Sequence, residues 1–275
     1  VKQYLTIVRP LNCLFIALAV LTGGLLNAAG IEDCIALLFA VIAAVLIAAG
    51  GYVINDFYDL PTDIINKPHR ILPRGLISPD RAYLLSMFLF VLGFSLSFFT
   101  ANLWAIIIAI VNSLLLYFYA KYFKRVILLG NLIVSYSAAS AFLFGAVVCE
   151  NLSNMLPIIL FTFLYTLVRE IIKDAEDING DTRVGIKTLA TVFGIKKAVI
   201  FSLFPAMLLI AALLGSFNYQ LISKPFFHTV LLAYTIPLIV IYLRLFTKLT
   251  IAKLMEASLM IKLHMLLLLI VLIII

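Results

Sequence analysis

Charge is what this sequence has least of. Only 12% of its 275 residues are Asp, Glu, Lys or Arg, against 65% apolar, and the mean hydropathy is +1.19. A soluble domain runs nearer a quarter charged, so the composition excludes one and indicates an integral membrane protein. Cysteine is down to Cys13, Cys34 and Cys149. That odd number, with no paired ligand spacing, speaks against a disulfide framework or a thiolate metal site. His69, His228 and His264 likewise lack partners at zinc-ligand spacing and are expected to pack or sit at interfaces. Strand-like alternation is missing, which argues against a β-barrel. No linker or low-complexity stretch divides the chain, so residues 1–275 read as a single polytopic domain.

What the sequence does contain is apolar runs. A helix needs about 20 residues to cross roughly 30 Å of hydrocarbon, and nine such runs lie near 11–29, 35–54, 82–99, 103–120, 127–149, 155–172, 198–215, 226–243 and 254–275. The first is long for a signal peptide and reads as a retained span. Only 13 residues follow Lys262 in the last run, which leaves room for chain beyond Ile275. With nine spans, one set of connections together with the N-terminus carries 18 of the 20 basic residues. By the positive-inside rule that side is cytosolic. The formal charge of +7 is thereby explained by membrane orientation, and no nucleic-acid partner is implied.

The few acids are crowded. Residues 55 to 63 read NDFYDLPTD, and 118 residues later KDAEDINGD repeats the spacing of Asp56, Asp59 and Asp63 as Asp174, Asp177 and Asp181. The copies follow spans 2 and 6, so both fall on the cytosolic side, as a weak parallel repeat would. Asn55, Asp59 and Asp63 are four apart and share one helical face; Glu170, Asp174, Asp177 and Asp181 can project along a single face as well. Pro61 is tolerated in a helix only in its first turn or at a kink, so the first acidic helix is expected to bend or end between Asp59 and Asp63. Ionisable residues near lipid are expensive and default to a functional reading. Divalent cations between two carboxylate walls would relieve their repulsion, and hard oxygens with bound phosphate suit Mg²⁺. Lys67, Arg70, Lys121, Lys173 and Arg183 flank the walls and supply donors for a diphosphate. The chemistry implied is ionisation of a diphosphate ester, assisted by metal and cations.

These residues resemble the UbiA superfamily of intramembrane prenyltransferases. The likeness covers most of the chain: nine spans, NDFYDLPTD after span 2, KDAEDINGD after span 6, the early RPLN, NKPHRILPRG and TRVGIKTL. It implies an all-α bundle of nine transmembrane helices around a laterally open cavity, capped by two cytosolic Asp-rich loops, in the cell membrane with a cytosolic N-terminus. It implies Mg²⁺ held by Asn55, Asp56, Asp59 and Asp63 on one wall and by Glu170, Asp174, Asp177 and Asp181 on the other. Turnover would depend on Asp59, Asp177, Arg70 and Lys121. Arg9, Asn12, Lys67, Arg70, Lys121 and Lys173 would bind substrate. Within the superfamily the second motif with TRVGIKTLA is most like the archaeal branch that joins geranylgeranyl diphosphate to the free hydroxyl of geranylgeranylglyceryl phosphate. Glu170 stands where an aspartate is usual, with the ligand chemistry preserved. The partners implied are an isoprenyl diphosphate, a lipid phosphate and the membrane itself. The alternatives are prenylation of an aromatic or quinone precursor such as 4-hydroxybenzoate, an ion-coupled transporter, and a head-group transferase. The transporter would carry its acids at the bilayer midplane. The transferase's aspartate, glycine and arginine pattern is missing.

Overall fold

The structure, a computed structural model, describes residues 2–25 and 30–274, the side chains at 65, 66, 233, 268 and 270–274 excepted. The last four residues of the expected first run, the side chain of Asn66 and Ile275 therefore lie outside the described residues. Among the described residues thirteen α-helices follow one another: α1 Lys2–Ile7, α2 Pro10–Leu25, α3 Ile31–Asn66, α4 Pro79–Ser97, α5 Leu103–Lys121, α6 Leu129–Val148, α7 Leu152–Glu176, α8 Ile178–Arg183, α9 Leu189–Phe193, α10 Ile195–Asn218, α11 Lys224–Val230, α12 Ile236–Thr247 and α13 Ile251–Ile274. No strand occurs among the described residues. In hydrocarbon every backbone N–H and C=O must be satisfied within the chain, which a helix does on its own.

Each of the nine apolar runs falls on a helix, and the six helical segments Ile31–Ile64, Pro79–Thr100, Leu103–Lys121, Leu129–Val148, Leu152–Glu176 and Ile195–Asn218 are long and apolar enough to cross a membrane. The eighth run is continuous but irregular: α11 passes through a π-turn, Leu231–Thr235, into α12, whose second residue is Pro237. Helix starts follow local chemistry. Ser78 accepts the N–H of Arg81 ahead of Pro79, and Asn102 accepts that of Ala105 at 3.1 Å, satisfying donors that a first turn leaves open. On α4 the apolar residues Leu84, Phe88 and Val91 are all more than half exposed. They stand one turn apart on one stripe, the arrangement of a lipid-facing side.

The contacts group into two compact units, residues 1–124 with 140–152, and residues 125–139 with 153–275. In the first, α3 packs against α2, α4 and α5. Small residues set the approach of α2 to α6: a Cβ added at Gly145 would strike the carbonyl of Val20, and one at Gly23 the carbonyl of Phe142. Close backbone approach of this kind is how helices associate where lipid removes the hydrophobic drive. Asn151 is buried there and donates to the Gly23 carbonyl at 3.2 Å. A cluster of Ile7, Cys13, Val53, Leu72, Ile77, Ala82 and Leu89 ties α1, α2 and the 67–78 connection to α3 and α4. In the second unit Tyr165 stands edge-on to Tyr234 at 4.5 Å, and Ser202 hydrogen bonds Tyr242 at 2.8 Å. His264 pairs with the Tyr165 hydroxyl at 3.3 Å, and His228 with the Lys224 carbonyl at 2.7 Å, consistent with packing roles.

Two expectations about the acidic segments need correction. The helix α3 neither ends nor opens into a loop at NDFYDLPTD; it runs through Pro61 to Asn66. Pro61 removes only the hydrogen bond to the residue 57 carbonyl, near the end of a 36-residue helix that packing already holds. The second motif is not one continuous face. Here α7 stops at Glu176, Asp177 occupies the junction, and Asp181 rides on the separate α8. Asp177 at the junction is a weak helix former that favours caps and turns, which fits a break that spacing alone does not reveal.

Candidate active site

The last turns of α3 bring the first acids together with three basic groups from distant segments. Asp59 Oδ2 accepts from Asn55 Nδ2 at 2.8 Å and from Lys124 Nζ at 2.5 Å. Asp56 and Asp63 are buried, at 8% and 4% exposure. Asp56 forms an ion pair with Arg9, and Arg70 Nη1 lies 2.6 Å from Asp63 and 3.4 Å from Asp56. Arg9 also stands 5.2 Å over the Tyr52 ring. Asn12 is half-buried in the first turn of α2, its N–H bonded to the Arg9 carbonyl. Lys67 follows α3, is exposed, and bonds through its N–H to the Asp63 carbonyl. At the end of α5, Lys121 Nζ lies 5.8 Å from the Tyr117 ring and 5.0 Å from Tyr122, while Tyr117 and Tyr58 hydroxyls meet at 3.3 Å.

The second unit repeats the logic with different partners. Glu170 pairs with Arg169, Asp174 accepts from Asn131 Nδ2 at 2.8 Å, and Lys173 Nζ donates to Asp177 at 3.1 Å. Arg169 Nε is buried with no acceptor among the described residues. Asp181 bonds Asp177 through the backbone at 3.1 Å. Sequence reasoning missed Lys124, Asn131 and Arg169 as partners of these acids. A lysine at a span end reads as an orientation signal, but Asn131 and Arg169, polar residues inside apolar runs, were a usable sign.

The donor set is carboxylate and amide oxygen throughout, the hard chemistry that divalent Mg²⁺ prefers. Among the described residues no three acid, imidazole or thiol side chains form a ready-made ligand group. The oxygens of each wall face ammonium and guanidinium groups instead. The residues fit a divalent ion in kind, and a metal would take these oxygens from cations that themselves suit a diphosphate.

Comparison with known proteins points the same way. The family model for the UbiA prenyltransferase family matches residues 16–270. A digeranylgeranylglyceryl phosphate synthase from Methanopyrus kandleri is 39% identical over 211 residues, 75% of this chain and 77% of its own. The enzyme of that name from Sulfurisphaera tokodaii is 43% identical over 201 residues, 72% of each. A solved structure of a digeranylgeranylglyceryl phosphate synthase in membranes superposes with a TM-score of 0.83 at 32% identity, over 99% of this chain and 97% of the other. A UbiA homolog from Archaeoglobus fulgidus bound to GPP and Mg²⁺ shares the fold at TM-score 0.73 and 15% identity, over 95% and 96% of the two chains. With acid and base sets at both walls and a family match across nearly its whole length, this chain belongs to the UbiA prenyltransferase family.

Proposed function

We propose that the chain transfers a geranylgeranyl group from geranylgeranyl diphosphate to the free hydroxyl of geranylgeranylglyceryl phosphate, with Mg²⁺, as a step of archaeal ether-lipid synthesis. The observation that carries this reading is 39–43% identity, over about three quarters of the chain, to synthases of that product. In the same reading residues 1–275 form one domain. All nine helical runs cross the membrane around a laterally open cavity, and both acidic segments sit at the cytosolic face. The basic residues gathered on that side support this orientation.

The residues then take defined parts. Asn55, Asp59 and Asp63 on the α3 wall, and Glu170, Asp174, Asp177 and Asp181 on the other, supply oxygen to Mg²⁺. When bound, the metal neutralises the departing diphosphate and thereby favours ionisation of the allylic ester. Lys67, Lys121 and Lys173 contribute point charges to the same diphosphate. The rings of Tyr58 and Tyr117 present electron-rich faces, which tolerate an allylic cation. The acceptor hydroxyl captures that cation and releases its proton, so only a weak base is required.

The test is radiolabel transfer in detergent. Geranylgeranyl diphosphate is offered with geranylgeranylglyceryl phosphate or with 4-hydroxybenzoate, each in Mg²⁺ and in EDTA. Ether formation on the glyceryl phosphate in Mg²⁺ alone is the expected result. Transfer only to the aromatic acid would move the enzyme to quinone synthesis.

A further inference from the structure

The acids of α3 do not form one uniform face. Asp56 and Asp63 are seven residues apart and return to within about 20° of each other around the helix, while Asp59 is offset from Asp56 by about 60°. The partners divide the same way. Asn55 and Lys124 attend Asp59, whereas Arg9 and Arg70 attend Asp56 and Asp63. Both guanidinium groups converge on the same oxygen, Oδ1 of Asp56. That oxygen is committed to two cations of the chain.

The two arginines are held in place by more than this contact. Arg9 has a left-handed backbone, φ 55°, which is unfavourable for a residue with a side chain and is further restricted by the ring of Pro10. Its neighbours fix it: Ile7 and Cys13 are buried in the cluster on α3, and its carbonyl accepts the N–H groups of Asn12 and Cys13. Arg70 is followed by Ile71, Leu72 and Ile77, which belong to or pack against the same cluster. Each guanidinium has five N–H donors, and the Arg9 and Arg70 side chains remain 30% and 26% exposed. Two anchored, partly open forks are thus brought side by side by one buried carboxylate.

We propose that Asp56 is a positioning residue, not a metal ligand, and that it pairs Arg9 with Arg70 as a binding site for the phosphate of the lipid acceptor. The proposal rests on the reading above, that the acceptor carries a phosphate. A transfer between two lipids that both bear phosphate must hold two anions at once. The donor's diphosphate contains the bond that breaks and belongs with the metal. The acceptor's monoester, carrying about −1.5 to −2 charge, takes no part in bond making and needs only a fixed anchor. Guanidinium forks bind such a group bidentately without a metal.

The experiment is equilibrium binding to the full chain in detergent with EDTA present. Three labelled ligands are compared: geranylgeranylglyceryl phosphate, geranylgeranylglycerol without its phosphate, and geranylgeranyl diphosphate. Arg9→Gln and Asp56→Asn are each expected to weaken the phosphate-bearing acceptor by about tenfold or more, the scale of one lost charge-assisted contact. Arg9→Lys is expected to recover part of that loss. The alcohol is expected to bind all variants alike, which also controls for folding. Mn²⁺ titration followed by electron paramagnetic resonance is expected to be unchanged in Asp56→Asn. Unchanged acceptor affinity in Arg9→Gln overturns the proposal, as does loss of Mn²⁺ in Asp56→Asn. A loss confined to the diphosphate assigns the pair to the donor and overturns it too. Wild-type protein that transfers nothing to the glyceryl phosphate breaks the underlying reading; intact transfer with unchanged Arg9→Gln binding breaks this proposal alone.

Discussion

Asp59 receives an amide and an ammonium on one oxygen, in the last turns of α3. Replacing it by alanine removes a metal oxygen in the proposed mechanism while costing little packing. Asp59→Ala is expected to lower transfer by at least roughly 100-fold, the scale of losing one preorganised electrostatic group, with elution in detergent unchanged. Near-native transfer by this variant would falsify the metal role of the α3 wall. At this scale the sequence already displayed the acids and their spacing. It did not display their partners. Lys124 reaches Asp59 across 65 positions, Arg9 reaches Asp56 across 47, and Asn131 reaches Asp174 across 43. Such pairs are set by how helices pack, which local patterning does not encode.

Elements were legible wherever hydrophobic length alone decides. Among the described residues each apolar run falls on helical backbone, and six of the segments are long and apolar enough to cross a membrane, since a backbone in hydrocarbon has few other ways to satisfy itself. The reading faltered where a local breaker competes with packing, and the outcome went both ways. Pro61 lies within a long packed helix that runs on past it, whereas α7 ends at Glu176, with the weak helix former Asp177 at the junction. Close helix contact offers a test at this scale. Gly145 sits where any Cβ meets the carbonyl of Val20, a backbone atom that cannot rotate away. Gly145→Ala is expected to force α6 from α2 and destabilise the protein by about 1–3 kcal/mol, the usual cost of overpacking. A lowered midpoint in a detergent thermal-unfolding assay would register it. Gly215, with open space around its Cβ position, provides the comparison: Gly215→Ala is expected to leave the midpoint the same or higher, since alanine favours helix.

Across the whole molecule, orientation joins the charge pattern to the chemistry. His69 and Tyr219 are both exposed and lie in connections. Between them stand five helical segments, Pro79–Thr100, Leu103–Lys121, Leu129–Val148, Leu152–Glu176 and Ile195–Asn218, each long and apolar enough to cross the membrane. If all five cross, the odd number puts the two residues on opposite sides. In the proposed orientation the basic residues clustered around His69 and in the 169–197 region lie on the cytosolic side. In a background lacking Cys13, Cys34 and Cys149, a membrane-impermeant maleimide added to intact cells is expected to label Tyr219→Cys and spare His69→Cys. Permeabilised cells are expected to show both labelled. Labelling of both in intact cells would mean that one of the five helices does not cross; if it is one of the four between the two acidic segments, those segments fall on different sides, where no single diphosphate reaches both. Labelling of His69→Cys alone would keep the crossings and invert the protein, placing the proposed metal site outside the cytosol. The same two cysteines thus test the crossing number and the side of the membrane on which the reaction takes place.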